Sequence, residues 1–149
     1  MRPNLRKEIY DLSDRMRQLM ISQESEGYRA ELTMRDVLIL DLLRQQGPMT
    51  VSQISKAVQG VTVSTVSINI TKLWRGKKLV SKTKKDDDQR TTIVELTDKG
   101  KEAIEFFNNR REETFNVLFQ ALNLSEDEEK VITNAIGRAI KFFDMNLPC

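Results

Sequence analysis

Thr62-Val-Ser-Thr-Val-Ser-Ile-Asn-Ile-Thr-Lys-Leu-Trp-Arg75, running on through Gly76-Lys-Lys-Leu-Val-Ser-Lys-Thr-Lys-Lys85 to Asp86-Asp-Asp-Gln-Arg-Thr-Thr-Ile-Val-Glu-Leu96, is the stretch from which the fold is read. Thr62 to Arg75 predicts a helix, and Leu79–Lys84 and Thr91–Leu96 predict two short strands. The charged segment Lys85–Arg90 is the turn between them, and Thr97-Asp-Lys-Gly100 opens another helix. Val63, Val66, Ile70 and Leu73 recur at steps of three and four and form the predicted core side of the first helix. Turning them inward sends Ser64, Thr65, Ile68, Thr71, Lys72 and Arg75 outward, with Ser67 and Asn69 at the margins. Hydroxyls suit phosphates and base edges, Lys72 and Arg75 suit phosphates or guanine, and Ile68 suits a thymine methyl. Trp74 reads as a packing residue at the helix end, with base stacking the lesser alternative. A polar-faced helix followed by a basic ribbon offers duplex DNA one element for the major groove and one for the minor groove.

Upstream, Thr50-Val-Ser-Gln53 has the spacing of a capping box and predicts a short helix over Val51–Val58, with Ile54, Ala57 and Val58 inward. Gln59-Gly-Val61 is a short turn, and Thr62 or Ser64 starts the next helix, which makes the pair a helix-turn-helix. Thr33 caps an earlier helix whose core surface is Val37, Leu38, Leu40, Leu42 and Leu43, stopped by Gln46-Gly-Pro48. Asn4 to Glu24 predicts a long helix with Leu5, Ile9, Leu12, Met16, Leu19 and Met20 on one stripe, followed by a turn at Glu26-Gly-Tyr28.

Downstream, Thr97 caps a helix reaching Leu122, about 37 Å long at the usual rise per residue. Ser125-Glu-Asp-Glu128 is a second capping box, opening a last helix to Met145. Both carry apolar residues on more surface than one small domain covers, among them Phe115, Phe119, Ile132, Ile136, Ile140 and Phe143, and so predict association through the chain ends.

The 149 residues carry a net charge of +2, which conceals a segregation. Leu42 to Lys85 holds nine Lys or Arg (Arg44, Lys56, Lys72, Arg75, Lys77, Lys78, Lys82, Lys84 and Lys85) and no Asp or Glu, so the rest of the chain has 15 basic and 22 acidic residues, a net of −7. Solvated faces mix signs, and 44 residues without a carboxylate ask for an anionic partner. Nucleic acid leads. A membrane surface is the weaker rival, because no basic helix with a bulky apolar face stands out. No apolar run approaches the ~20 residues of a membrane span, there is no signal-peptide core, and the single cysteine, Cys149, forms no internal disulfide, so a cytoplasmic location is expected.

Enzymatic chemistry finds little support: there is no His, no Gly-rich phosphate loop and no paired-carboxylate motif. Asp86-Asp87-Asp88 on a surface hairpin offers too few converging ligands for a tight metal site. No cofactor is expected. Two further classes compete with DNA binding: redox sensing through Cys149, for which the sequence supplies no activating cation beyond Lys141, and a winged helix used for protein contacts alone.

Residues spread over most of the chain resemble the MarR family of winged helix-turn-helix transcriptional regulators. Leu32-Thr33 with Val37-Leu38, Val51-Ser-Gln-Ile-Ser-Lys-Ala57, Val63-Ser-Thr-Val-Ser67 and Leu79-Val80 follow that pattern. Its most specific part is Asp88-Gln-Arg90 followed by Leu96-Thr-Asp-Lys-Gly100. The resemblance implies a mainly α fold with a small β wing: a winged lobe over residues 32–100, and helical dimerisation regions at 1–31 and 101–149. It implies a homodimeric, sequence-specific regulator, most simply a repressor, reading a pseudo-palindrome with recognition helices in successive major grooves and wings over minor grooves. The matching positions for DNA contacts are Ser52, Gln53, Ser64, Thr65, Ser67, Ile68, Thr71, Lys72, Arg75, Lys84, Lys85, Asp88 and Arg90. Arg90 at the tip would enter the minor groove, with Asp88 holding its guanidinium. A small aromatic ligand between dimerisation helices and lobe is also implied, with Tyr10, Met16, Tyr28 and Trp74 as candidate walls. Two departures stand out. Ile68 occupies a position where the family often has Arg or another polar residue, and Leu73–Val80 is one residue longer than the commonest version.

Overall fold

The computed structural model describes residues 3–23, 32–58 and 60–146, the side chains of residues 3 and 20–23 excepted. The predicted turn at Glu26–Tyr28, the contribution of Met20, Gln59 and any role of Cys149 lie outside the described residues. The chain divides into two compact units, Met1–Arg35 and Asp36–Cys149.

Within the first unit, α1 spans Pro3–Gln23. Its predicted stripe is real as a pattern but bare: Leu5, Ile9, Leu12, Met16 and Leu19 are 37–55% exposed. Tyr10 is also exposed.

The elements that follow are α2 (Met34–Gln46), β1 (Met49–Thr50), α3 (Val51–Ala57), α4 (Val63–Thr71), a π-helical turn (Lys72–Gly76), β2 (Val80–Lys85), β3 (Asp88–Leu96), α5 (Asp98–Leu122) and α6 (Glu126–Asn146). The three strands form an antiparallel sheet in the order β1-β3-β2. The core of the second unit gathers Ile39, Leu40 and Leu43 of α2, Ile54 of α3, Val66 and Ile70 of α4, Leu73 and Leu79 beyond it, Val80 and Val94 of the hairpin, and Ala103 and Ile104 of α5. Three expectations about inward faces are corrected. Ile39 is buried where Leu38 was expected, Leu38 being 52% exposed; Val63 is 52% exposed; and Ala57 is exposed. Val63 opens α4 and Ala57 closes α3, where element boundaries blur by a residue or two, whereas Leu38 is mid-helix and the inward stripe of α2 runs through Ile39 instead.

The capping chemistry holds. Thr50 Oγ1 accepts from Gln53 N–H at 3.1 Å while Gln53 Oε1 accepts from Thr50 N–H at 2.9 Å. Thr62 is the N-cap of α4, its Oγ1 accepting from Thr65 N–H at 3.2 Å, which decides between Thr62 and Ser64. Gly60, between α3 and α4, has φ +75°, a left-handed conformation that a side chain would strain. Ser125 and Glu128 complete the second capping box with reciprocal bonds of 2.8 and 3.3 Å.

Asp36 of α2 and Asn69 of α4 are buried at 5% and 8% exposure, and Asn69 Nδ2 donates to Asp36 Oδ1 at 2.9 Å. Asn69, expected at a margin of the helix face, instead makes a buried polar bond that fixes α4 against α2. Removing the Asn69 amide takes this hydrogen bond from the buried Asp36 carboxyl. Asn69→Ala is therefore expected to lower unfolding stability by about 1–3 kcal/mol, as read from urea midpoints, and a variant with the wild-type midpoint would show the bond to be dispensable.

Candidate nucleic-acid interface

The site has two parts, a helix face and a hairpin. From α4 into the π-turn that follows it, Ser64, Ile68 and Lys72 repeat at four-residue steps and are all exposed, Ile68 at 58%. Exposed Val63 widens the start of this face, and exposed Arg75 extends it into the next turn. Thr65, Ser67 and Thr71 are half-buried, and two of their hydroxyls already have partners. Thr65 Oγ1 is 3.0 Å from Thr62 Oγ1, and Thr71 Oγ1 donates to the Ser67 carbonyl at 2.9 Å. The expectation that all six of these positions look outward thus narrows to Ser64, Ile68, Lys72 and Arg75. On α3, Ser52 is exposed, whereas Gln53 is exposed but bonded to the Thr50 cap.

The helix does not stop at Arg75 as an ordinary α-helix. Lys72–Gly76 forms a π-turn in which Lys77 N–H donates to Lys72 O at 3.2 Å, and Leu79 N–H then donates to Leu73 O at 2.8 Å. A π-turn absorbs one extra residue within a helix. The added length between Leu73 and Val80 is taken up here, ending at Lys78 with φ 56°. The turn places Trp74, half-buried, against two cations: the Arg75 guanidinium carbon and Lys82 Nζ each lie 4.9 Å from its ring centre. Trp74 is a packing residue, as expected, but one that packs on charge.

The hairpin is longer than predicted. The strands reach Lys85 and begin at Asp88, so the turn is only Asp86-Asp87, and Asp88, Gln89 and Arg90 belong to β3. Lys84 pairs with Thr92 and Lys85 with Asp88, leaving Gln89, Arg90 and Thr91 as a bulge with no counterpart on β2. Bulges re-aim side chains, and this one carries exposed Arg90 at its centre. Asp88 builds the bulge. Its Oδ1 accepts from the Arg90 backbone N–H at 3.0 Å and its Oδ2 from the Thr91 hydroxyl at 2.7 Å. The expected grip of Asp88 on the Arg90 guanidinium is therefore corrected: Asp88 holds the backbone of Arg90. Lys84 Nζ donates to Thr92 Oγ1 at 2.9 Å, and Lys85 Nζ is 3.9 Å from Asp87 Oδ1.

The Thr91 hydroxyl and then the Arg90 N–H hold the Asp88 carboxyl below its ordinary 3.8, with Lys85 and Lys84 adding to the effect. A carboxylate with a lowered folded pKa contributes fully above its unfolded value and loses that contribution as pH falls through the folded one. The bulge is thus expected to be unchanged from neutral pH down to about pH 4 and to open below that. Amide resonances of Arg90 and Thr91 followed by NMR would show one transition below the ordinary carboxylate range. Movement centred above pH 4 would contradict the bonding described.

Behind the site, Thr97 joins hairpin to helix. Its N–H donates to Leu79 O at 3.1 Å, its hydroxyl to Lys78 O at 2.7 Å, and its Oγ1 accepts from Gly100 N–H at 3.1 Å. Farther along α5, Asn108 Nδ2 donates to Asp41 Oδ1 of α2 at 3.1 Å. Burial raises the Asp41 carboxyl, but the donors Asn108, Arg44 and Gln45 outweigh it and hold the group below its ordinary value.

Among the described residues no helix is long and apolar enough to cross a membrane, and no group of three or more metal-ligating side chains is found. Of the expected ligand walls, Tyr10 and Met16 are exposed on α1, Trp74 is half-buried beside its two cations, and Tyr28 lies outside the described residues.

The family model described as transcriptional regulator SarA/Rot matches residues 23–106, more than half of the chain. No curated protein sequence matches. Among solved structures, the fold is similar to that of FabT from Streptococcus pneumoniae, crystallised in complex with DNA: TM-score 0.80, 18% identity, covering 94% of this chain and 97% of that one. A MarR protein from Peptoclostridium difficile superposes with TM-score 0.69 at 20% identity, covering 95% and 88%. BpsR from Bordetella bronchiseptica, whose DNA binding is regulated by 6-hydroxynicotinic acid, does so with TM-score 0.61 at 22% identity, covering 89% and 98%. At these identities the likeness bears on the fold, and the fold is the MarR-type winged helix-turn-helix that the sequence resembles.

Proposed function

The chain belongs to the SarA/Rot family of transcriptional regulators, and from that premise we propose that it binds a pseudo-palindromic operator as a homodimer and acts there as a repressor. One observation carries the reading. The helix face and the hairpin hold Lys72, Arg75, Lys84 and Lys85 within the 44-residue stretch that has no carboxylate, and Arg90 just beyond the aspartates of the hairpin turn, with Ser64 and Ile68 on the helix face as base-facing groups. Arg90 enters the minor groove from the bulge, and α4 reads the major groove. Ser52 and Gln53 at the start of α3, and Thr65, Ser67 and Thr71 on the flank of α4, serve as phosphate or water-bridged contacts. The FabT complex supports DNA as the partner, and BpsR supports a small aromatic effector. Residues 1–31 and 101–149 supply the dimer contacts, and the protein works in the cytoplasm without enzymatic activity.

The test is fluorescence anisotropy with the DNA upstream of the gene, an unrelated duplex, a salt titration and Arg90→Ala. Salt-sensitive binding that prefers the upstream duplex is expected, because phosphate contacts release counterions. Losing one groove-inserted arginine should weaken binding by about tenfold to a hundredfold. Equal, weak binding to both duplexes would reduce the protein to a basic surface. Absence of binding at low salt would favour a protein-interaction module instead.

A further inference from the structure

Trp74 is the only tryptophan in the chain, and it gathers a cation from each of two elements. Arg75 comes from the turn that ends the recognition helix and Lys82 from β2, both 4.9 Å from the ring centre. All three lie in the 44-residue stretch that contains no carboxylate. Two like charges drawn to one ring repel each other, and the ring quadrupole offsets that repulsion only in part. The π-cloud engages the charge but accepts no conventional hydrogen bond, so the N–H donors of both groups are left for an acceptor. An anion settling beside them would relieve the repulsion and satisfy the donors. The π-turn is what sets Trp74 here, and it is also where this chain is a residue longer than the commonest pattern.

We propose that Trp74, Arg75 and Lys82 form a phosphate-backbone contact at the junction of recognition helix and wing, with Trp74 as the residue that positions the two cations. Of these three residues only Arg75 is among the positions expected from the sequence to touch DNA; Lys82 and Trp74 are new. The site rests on the DNA-binding reading above. It adds a clamp between the two groove-reading elements: one backbone segment held by a cation from each fixes the helix and the hairpin in a single register.

The experiment is a salt-dependent anisotropy series on the full chain with Trp74→Leu, Trp74→Phe, Lys82→Met, the Trp74→Leu/Lys82→Met pair, and Arg90→Ala as a control. Lys82→Met is expected to weaken binding severalfold and to flatten the dependence of log affinity on log salt by about 0.9, the value of one phosphate contact. Trp74→Leu should weaken binding at least as much and flatten the slope, whereas Trp74→Phe, which keeps a ring, should stay near wild type. The double variant should lose less than the product of the two single losses, because the ring acts through Lys82. A merely structural tryptophan would leave the slope and the additivity untouched. Lys82→Met removes the ammonium of a half-buried side chain and keeps its aliphatic stem, so it decides the matter even where Trp74→Leu folds poorly. Wild-type affinity and slope in Lys82→Met, with Arg90→Ala still weakened, would overturn the clamp and leave the regulator reading intact. A wild-type protein that does not bind DNA at low salt would overturn both.

Discussion

Gly100→Val is expected to remove about 2–4 kcal/mol of the winged lobe's stability, the sum of overpacking and a lost backbone bond. Gly100 sits in the first turn of α5, buried, where α5 begins against the hairpin. A Cβ there would fall far inside contact distance of the Leu79 carbonyl oxygen, 3.0 Å from the Leu79 carbonyl carbon and 3.2 Å from Leu96 Cδ2. The obstacle is backbone, so no rotamer change relieves it. The same Leu79 carbonyl accepts the Thr97 N–H at 3.1 Å, and displacing it loosens the N-cap of α5 as well. With small domains stable by only 5–15 kcal/mol, the loss amounts to a large fraction of the whole. Gly100→Ala carries the same first atom and should fall most of the way, with valine's branches adding the rest. Thermal unfolding followed by circular dichroism should show a midpoint lower by roughly 5–15 °C. A midpoint within a degree of wild type would mean that α5 and the hairpin are not packed as described. DNA affinity at a temperature where the variant is folded should fall too, since the carbonyls that tie α5 to the hairpin root also set the pitch of the wing.

That glycine shows what the sequence carried and what it withheld. Leu96-Thr-Asp-Lys-Gly100 was readable as a wing exit, and Thr97 as a cap, because capping residues act within four positions of one another. The reason for the glycine, a carbonyl contributed by Leu79 from across the hairpin, is a long-range contact without a local signature. The same division runs through the site. Helix existence and caps were legible in Thr50, Thr62, Thr97 and Ser125, since side chain and target lie in one turn. The strand ends were not: three aspartates read as a turn, yet Asp88 spends its carboxylate on Arg90 and Thr91 and lets β3 start early. β1, two residues long, is defined only by its pairing with Ile93 and Val94. The burial of Asn69 depends on Asp36, 33 positions away, which no periodicity reports. The additional residue between Leu73 and Val80 was visible as a length, but its outcome, a π-turn presenting Trp74 to Lys82, depends on where β2 lies.

Ile136→Asp is expected to turn the protein into a monomer at micromolar concentration and to cost two to four orders of magnitude in operator affinity, the gain that linking two half-site contacts provides. None of the 21 residues of α6 is buried within one chain. Ile132, Ile136, Ile140 and Phe143 follow one another at steps of four, four and three on a single face, and each is 41–55% exposed. A second copy of the same face is the partner that a closed two-fold dimer supplies, because one apolar patch then covers its equal on the other subunit. Covering the remaining half of each of these side chains is worth about 1 kcal/mol, so eight across the interface supply roughly 8 kcal/mol before the costs of association, with the distal part of α5 adding apolar surface of its own. A carboxylate at the centre of that face must be desolvated without a cation, at several kcal/mol per copy. The two-fold also brings the two new charges toward each other. Neither effect touches the winged lobe, whose core is complete without α6, so the lobe should keep its fold and bind an isolated half-site weakly. Sedimentation equilibrium and anisotropy on one preparation separate the alternatives. A monomer with wild-type half-site affinity and lost operator affinity is the expected pair of results. A variant that sediments as wild type does, or a wild type that is itself monomeric when bound, would remove α6 from the dimer and with it the two-fold reading of the operator.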